Sequence, residues 1–133
     1  MPSRLTRPDS DSHERALIAA GAASAKSGDD IVVLDVADII SIIDVFVLVS
    51  ASNTRQVKTI VDEVERALRD HDGSKPIGVE GMNDATWVLL DFGDIVVHVF
   101  QEATRSYYDL DRLWGDAPRL HFDDRPVEAQ GSK

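Results

Sequence analysis

The chain has 133 residues, 43% of them apolar and 29% charged, which suits one folding unit with a single core and is too short for two. It contains no cysteine, which excludes disulfide frameworks, thiolate zinc sites and cysteine nucleophiles. Its 24 acidic and 14 basic side chains give a net charge of −10; such a field repels polyanions within about 8 Å, so a basic protein is the expected partner and direct nucleic-acid binding is not.

Residues 1–10 read as a flexible N-terminus. They lead into no long apolar run, so neither a secretory signal nor a membrane span is expected, and the cytoplasm is the default compartment. Asp11 with Glu14 resembles a capping box opening a helix over 13–26 that closes at Gly28. Its apolar side, Leu17, Ala20, Gly21 and Ser24, is small enough to admit a close neighbour. Residues 31–36 are β-branched and bounded by aspartates, which predicts a short strand, whereas 37–43 fit neither period. Residues 44–50, DVFVLVS, are apolar on both alternating faces, the pattern of a central strand covered on both sides. Asn53 and Gln56 repeat the capping pattern. Val57, Ile60, Val61, Val64, Ala67 and Leu68 then form one helical stripe, opposite the acid-first pairs Asp62 with Arg66 and Glu65 with Arg69. Gly73 and Pro76 end this helix.

Residues 76–81 can hold a short strand, and 86–101 carry the strongest β signal, two apolar runs around Phe92-Gly93 that read as a hairpin. Thr104 is placed to cap a short helix over 105–114, and Pro118, Pro126 and a polar ending predict a loose tail over 118–133. One domain over 11–117 remains. The order α, β, β, α, β, β, β, α predicts an α/β (α+β) fold, a mixed sheet of about five strands with helices packed on it.

With Phe92-Gly93 as a two-residue loop, Asp91 faces Asp94, Leu89 faces Val96 and Trp87 faces His98. One side of the hairpin is then wholly aliphatic (Val88, Leu90, Ile95, Val97, Val99) and suited to lie beneath helices. The other combines Trp87, His98 and Phe100 with acids at the loop. Two readings of this mixed side stand. Aromatic area with polar handles is typical of interface hot spots, and Trp87→Ala should then abolish binding with the melt nearly unchanged. Alternatively Trp87 and Phe100 pack under a helix, with His98 half-buried.

No reaction chemistry emerges. His13, His71, His98 and His121 share no metal-ligand spacing, so no metal or other cofactor is expected. Asp109 and Asp111 point to different sides of the predicted helix. No glycine-cradled phosphate loop or nucleophile elbow occurs.

Four ordered blocks resemble the ribosomal silencing factor (Iojap-like, RsfS) family: DVFVLVSASNTRQV at 44–57, Glu80-Gly81, WVLLDFGDIVVHVF at 87–100, and RSYYDLDRLWGDA at 105–117. The segment between Glu80 and Trp87 is short, and Asp111 stands where many members carry Glu. The resemblance implies a nucleotidyltransferase-like topology and a protein without catalytic role. It also implies binding to the large ribosomal subunit through ribosomal protein L14, which sterically blocks joining of the small subunit and represses translation under nutrient limitation; members self-associate into dimers. Carried over, Trp87, Asp91, His98, Tyr108 and Trp114 are the matching positions, and Asp94 and Phe100 flank them in the hairpin. The competing readings are a nucleotidyltransferase-like enzyme, resting on fold analogy alone, and a generic dimerising adaptor.

Overall fold

The computed structural model describes residues 9–122. In chain order the elements are α1 (Asp9–Ala25), β1 (Asp29–Asp35), β2 (Val45–Ala51), α2 (Thr54–Asp72), β3 (Gly78–Glu80), β4 (Trp87–Asp91), β5 (Ile95–Gln101), α3 (Glu102–Tyr108), α4 (Leu110–Leu113) and β6 (Arg119–Leu120). The strands form one 6-stranded sheet in the order β3-β4-β5-β2-β1-β6. β2 and β5 run parallel at its centre, Val45 beside Ile95 through Ala51 beside Gln101. Every residue of β2 is buried, as its two-sided apolar sequence requires. The other pairings are antiparallel.

The sheet has two unlike faces. Val45, Val47, Val49, Val88, Leu90, Ile95, Val97 and Val99 face α1 and α2 in the larger core. The second face carries Leu34, Phe46, Leu48, Val96 and Phe100, covered by Val36, Ile40 and Ile43 of the connection between β1 and β2, by Trp114 and by Ala117. The segment 37–43, ambiguous from sequence, is thus a turn-rich cover whose inward residues close the second face while Ile39 and Ile42 are 51% and 77% exposed.

α2 follows its stripe closely: Val57, Ile60, Val61, Val64 and Leu68 are buried. Asn53 Oδ1 accepts the Gln56 N–H at 2.8 Å, and Gln56 Oε1 accepts the N–H of Ser52, not that of Asn53, at 2.7 Å. The expected Asp62–Arg66 pair gives way to Arg66 bonding Glu63 and Asp70. In α1 the helix begins at Asp9, so Asp11 lies inside it and not at the N-cap position. Its buried stripe is Ser12, Ala16, Ala19, Ala20 and Ala23, with Leu17 36% exposed; the alanine face lets α1 lie close on the sheet and α2.

Three further expectations are corrected. The hairpin turn is Gly93-Asp94, closed by Phe92 N–H to the Ile95 carbonyl at 3.0 Å. Register moves by two residues, so that Asp91 opposes Val96, Leu89 opposes His98 and Trp87 opposes Phe100. Gly93 has φ 98 and Asp94 stays at negative φ, which suits glycine at the first central position of the turn. A shift of two leaves each side chain on its expected face. The last helix splits: Thr104 lies within α3, whose N-cap is Gln101, and Asp109 at φ 51 ends it. Finally, the tail begins later than Ala117, because Arg119 and Leu120 pair with Leu34 and Val33. Pro126 lies outside the described residues, as do residues 1–8 of the expected flexible N-terminus.

Candidate functional site

Trp87 opens β4 immediately after a turn whose geometry depends on Gly81. Gly81 has φ 91, and a Cβ there would run into the Trp87 carbonyl, so only glycine lets the backbone pass that close. The turn is closed by Ala85 N–H to the Gly81 carbonyl at 2.9 Å, and Gln101 N–H holds the Thr86 carbonyl at 2.8 Å. The Gln101 amide reaches Ala85 O at 3.1 Å and Thr54 Oγ1 at 3.0 Å. Trp87 therefore leaves a backbone fixed from both sides.

From Trp87 a continuous row of rings crosses the second face. Trp87 lies 5.2 Å from Phe100 and 5.2 Å from Tyr108 between centroids. His98 stacks on Phe100 at 5.9 Å and meets Phe46 edge-on at 4.9 Å, and Phe46 meets Trp114 edge-on at 5.2 Å. Offset and edge-to-face pairs of this kind each contribute about 1 kcal/mol beyond burial.

The Trp87 indole N–H donates to His98 Nδ1 at 3.2 Å. That contact fixes the tautomer, since an accepting Nδ1 requires the proton on Nε2. His98 Nε2 is buried and has no hydrogen-bond partner among the described residues. Burial pushes the imidazole down to about 4, so His98 is neutral at physiological pH. An orphaned buried donor costs about 1–3 kcal/mol.

α3 is fastened over this face by Arg105, a buried residue whose Nη1 donates to the Asp30 carbonyl at 2.6 Å and to Ser50 Oγ at 2.9 Å. Its guanidinium also lies 6.0 Å over the Phe100 ring. Tyr107 and Tyr108, on the same helix, are 82% and 52% exposed, and Leu113 of α4 is 66% exposed. A shallow hollow of about 310 Å³ beside the row is lined by Glu80, Gly81, Trp87 and Leu89.

Of the seven expected site residues, Trp87, Asp91, Tyr108 and Trp114 lie on this face with part of their surface open. Phe100 and His98 belong to the row but lie beneath it, at 0% and 7% exposure. The expectation that they are free to bind is therefore corrected: neighbouring rings cover them on both sides. Asp94 is not brought to the face. Its carboxylate accepts from Ser12 Oγ at 2.8 Å and pairs with Arg15 of α1, and its carbonyl accepts the Asp44 N–H at 2.8 Å, so it anchors the hairpin turn to the helix layer. Leu89, Tyr107, Leu113 and Arg105 also belong to this face or fasten it and are not among the seven expected site residues. All four sit inside the family-like blocks at 87–100 and 105–117, which is the signal the sequence offers for them. Among the described residues no group of three His, Asp or Glu side chains is arranged to hold a metal ion, and no helix is long and apolar enough to cross a membrane.

Comparison with known proteins agrees with these features. Residues 9–133 match the family described as "Ribosomal silencing factor during starvation". The Bacillus subtilis ribosomal silencing factor RsfS is 42% identical over 80% of this chain and 89% of its own length. The chloroplastic protein Iojap of Zea mays is 32% identical over 77% of this chain and 44% of its own length. Among solved structures, a Chromobacterium violaceum protein superposes with a TM-score of 0.74 at 34% identity, covering 83% of this chain and 90% of that one. A Bacillus halodurans protein gives 0.71 at 32% identity, covering 83% and 99%. With nearly its whole length matched, and with the fold shared by structures of similar sequence, the chain belongs to the ribosomal silencing factor (RsfS/Iojap) family.

Proposed function

We propose that this chain docks on the large ribosomal subunit through ribosomal protein L14 and, by occupying that place, keeps the small subunit from joining, so that translation falls when nutrients are short. It does so in the cytoplasm and without catalysis. The observation that carries the reading is the aromatic row: Trp87 and Tyr108 present ring surface at its open end, the kind of rigid apolar anchor on which interfaces concentrate their energy. Acidic side chains accompany it. Glu80 lines the adjoining hollow and Asp91 shares the face of Trp87 on β4, in a chain of net charge −10. An acidic protein approaching an RNA-rich particle needs a basic protein as its landing point, and complementary charge would orient the encounter while aromatic burial holds it.

Co-sedimentation with purified large subunits tests the reading. The wild-type chain sediments with them and reduces their joining to small subunits, while Tyr108→Ala, at a 52% exposed position, weakens sedimentation about tenfold and leaves the melt within about 1 kcal/mol. Trp87→Ala also loses binding, but it lowers the melt as well, because Trp87 packs on Phe100 and His98. Failure of the wild-type chain to sediment, or a Tyr108→Ala chain that binds normally, would sink the proposal.

A further inference from the structure

We propose that His98 is a positioning residue of the docking face, its unprotonated Nδ1 selecting the orientation of the Trp87 indole that meets the partner; the proposal rests on the docking reading above. Trp87 is held by tilted contacts with Phe100 and Tyr108, at 36° and 50° between ring planes. Such contacts restrain the depth of a ring but discriminate weakly between its two flipped states, which exchange the edge bearing the N–H. The bond from the indole N–H to His98 Nδ1, at 3.2 Å, is the directional element. His98 itself cannot turn easily: Phe100 lies parallel to it at 9° and Phe46 abuts it at 80°.

The choice of histidine is otherwise unfavourable. Its neighbours on the sheet are Phe46, Leu48, Leu89 and Phe100, among which a leucine of similar volume would bury no polar atom of its own. Histidine instead strands an Nε2–H without an acceptor among the described residues. A buried donor left unpaired in a native fold calls for a compensating role, and the one bond that His98 makes here is to Trp87.

Three substitutions in the full chain separate positioning from packing. In His98→Asn the side-chain carbonyl takes the place of Nδ1; in His98→Gln the polar group takes that of Nε2; in His98→Leu neither remains. The readouts are the indole N–H resonance of Trp87, assigned against a Trp114→Phe chain, and affinity for purified large subunits. We expect His98→Asn to keep the wild-type indole resonance and to bind within about threefold of wild type. His98→Gln and His98→Leu should shift that resonance and weaken binding about tenfold or more, with His98→Leu melting no lower than wild type. Equal binding by wild type and a stably folded His98→Leu, or equal losses in all three variants, would overturn the proposal. Should the wild-type chain fail to bind large subunits, the docking reading falls; the indole resonance alone then decides the positioning bond, and its indifference to His98→Leu overturns it.

Discussion

Replacing Arg105 by methionine tests how the exposed tyrosines are held over the sheet. The guanidinium is buried at 7% exposure and joins three elements, through the Asp30 carbonyl in β1, Ser50 in β2 and the Phe100 ring in β5. A hydrogen bond from a charged donor contributes about 1.5–3 kcal/mol net, and the cation–π contact about 1 kcal/mol. Methionine restores part of the apolar stem, and Asp30 is exposed enough for water to reach its carbonyl, so the two bonds count near the lower limit. The expected cost is about 3 kcal/mol, or about 10 °C in Tm for a domain of this size. Urea unfolding followed by circular dichroism measures it, and Arg105→Lys, which keeps the charge but ends short of the Nη1 position, should recover only part. Because α3 carries Tyr107 and Tyr108, affinity for large subunits should fall along with stability. An Arg105→Met chain within about 0.5 kcal/mol of wild type would refute the claim that this side chain fastens α3.

Three other outcomes are expected. Gly81→Ala forces a Cβ against the Trp87 carbonyl at a left-handed backbone position and should cost about 3 kcal/mol in thermal unfolding; a neutral result would mean that the turn relaxes freely. His98 is held neutral by burial, its pKa lowered from 6.5 to about 4. Between those pH values the unfolded chain binds more protons than the folded one, so this contribution is fully present above about pH 6.5 and is lost as pH falls toward 4, on the order of 3 kcal/mol. Since His98→Leu has no such group and is expected to be at least as stable as wild type near neutrality, the gap between their unfolding free energies should widen in favour of His98→Leu as pH falls through this window, and a constant difference between them contradicts the assignment. Asn53→Ala removes the acceptor for Gln56 N–H at the start of α2 and should cost about 1 kcal/mol, read as a lower urea midpoint at unchanged m-value.

What was legible in the sequence was local. The alternation along residues 87–91 and 95–101 is a property of each strand alone, so the two faces of the hairpin follow from it whatever the turn. The register does not, because Phe92-Gly93 and Gly93-Asp94 are both competent loops, and the choice is made by Asp94 being held by Ser12 and Arg15 of α1, a distant contact. The stripe of α2 was readable because its buried side chains are large. That of α1 was not, since its alanines bury well wherever they fall and only Leu17 biased the reading. The depth of His98 and Phe100 depends on Phe46, Trp114 and Tyr108 arriving from other elements, and nothing in the periodicity of β5 encodes them. Arg105 shows the same difficulty: a charged residue on a short helix reads as solvated until the strand ends it reaches are known.

The parallel junction at the centre of the sheet has a consequence for how the chain acquires its structure. β4 and β5 meet across a two-residue turn, whereas β2 and β5 pair residues about fifty positions apart, Val45 with Ile95 and so on along the strands. Loop-closure entropy makes the first contact quick and the second slow. We therefore expect the hairpin and α2 to form as separate local units whose collision sets the folding rate. Gly93→Ala, which disfavours the turn, should slow refolding in stopped-flow measurements more than it speeds unfolding; the reverse partition would mean that the central pair closes before the hairpin does. On this view the Trp87 row is among the last features to exist, assembled only when β2 brings Phe46 alongside His98 and the chain beyond β5 folds back over both.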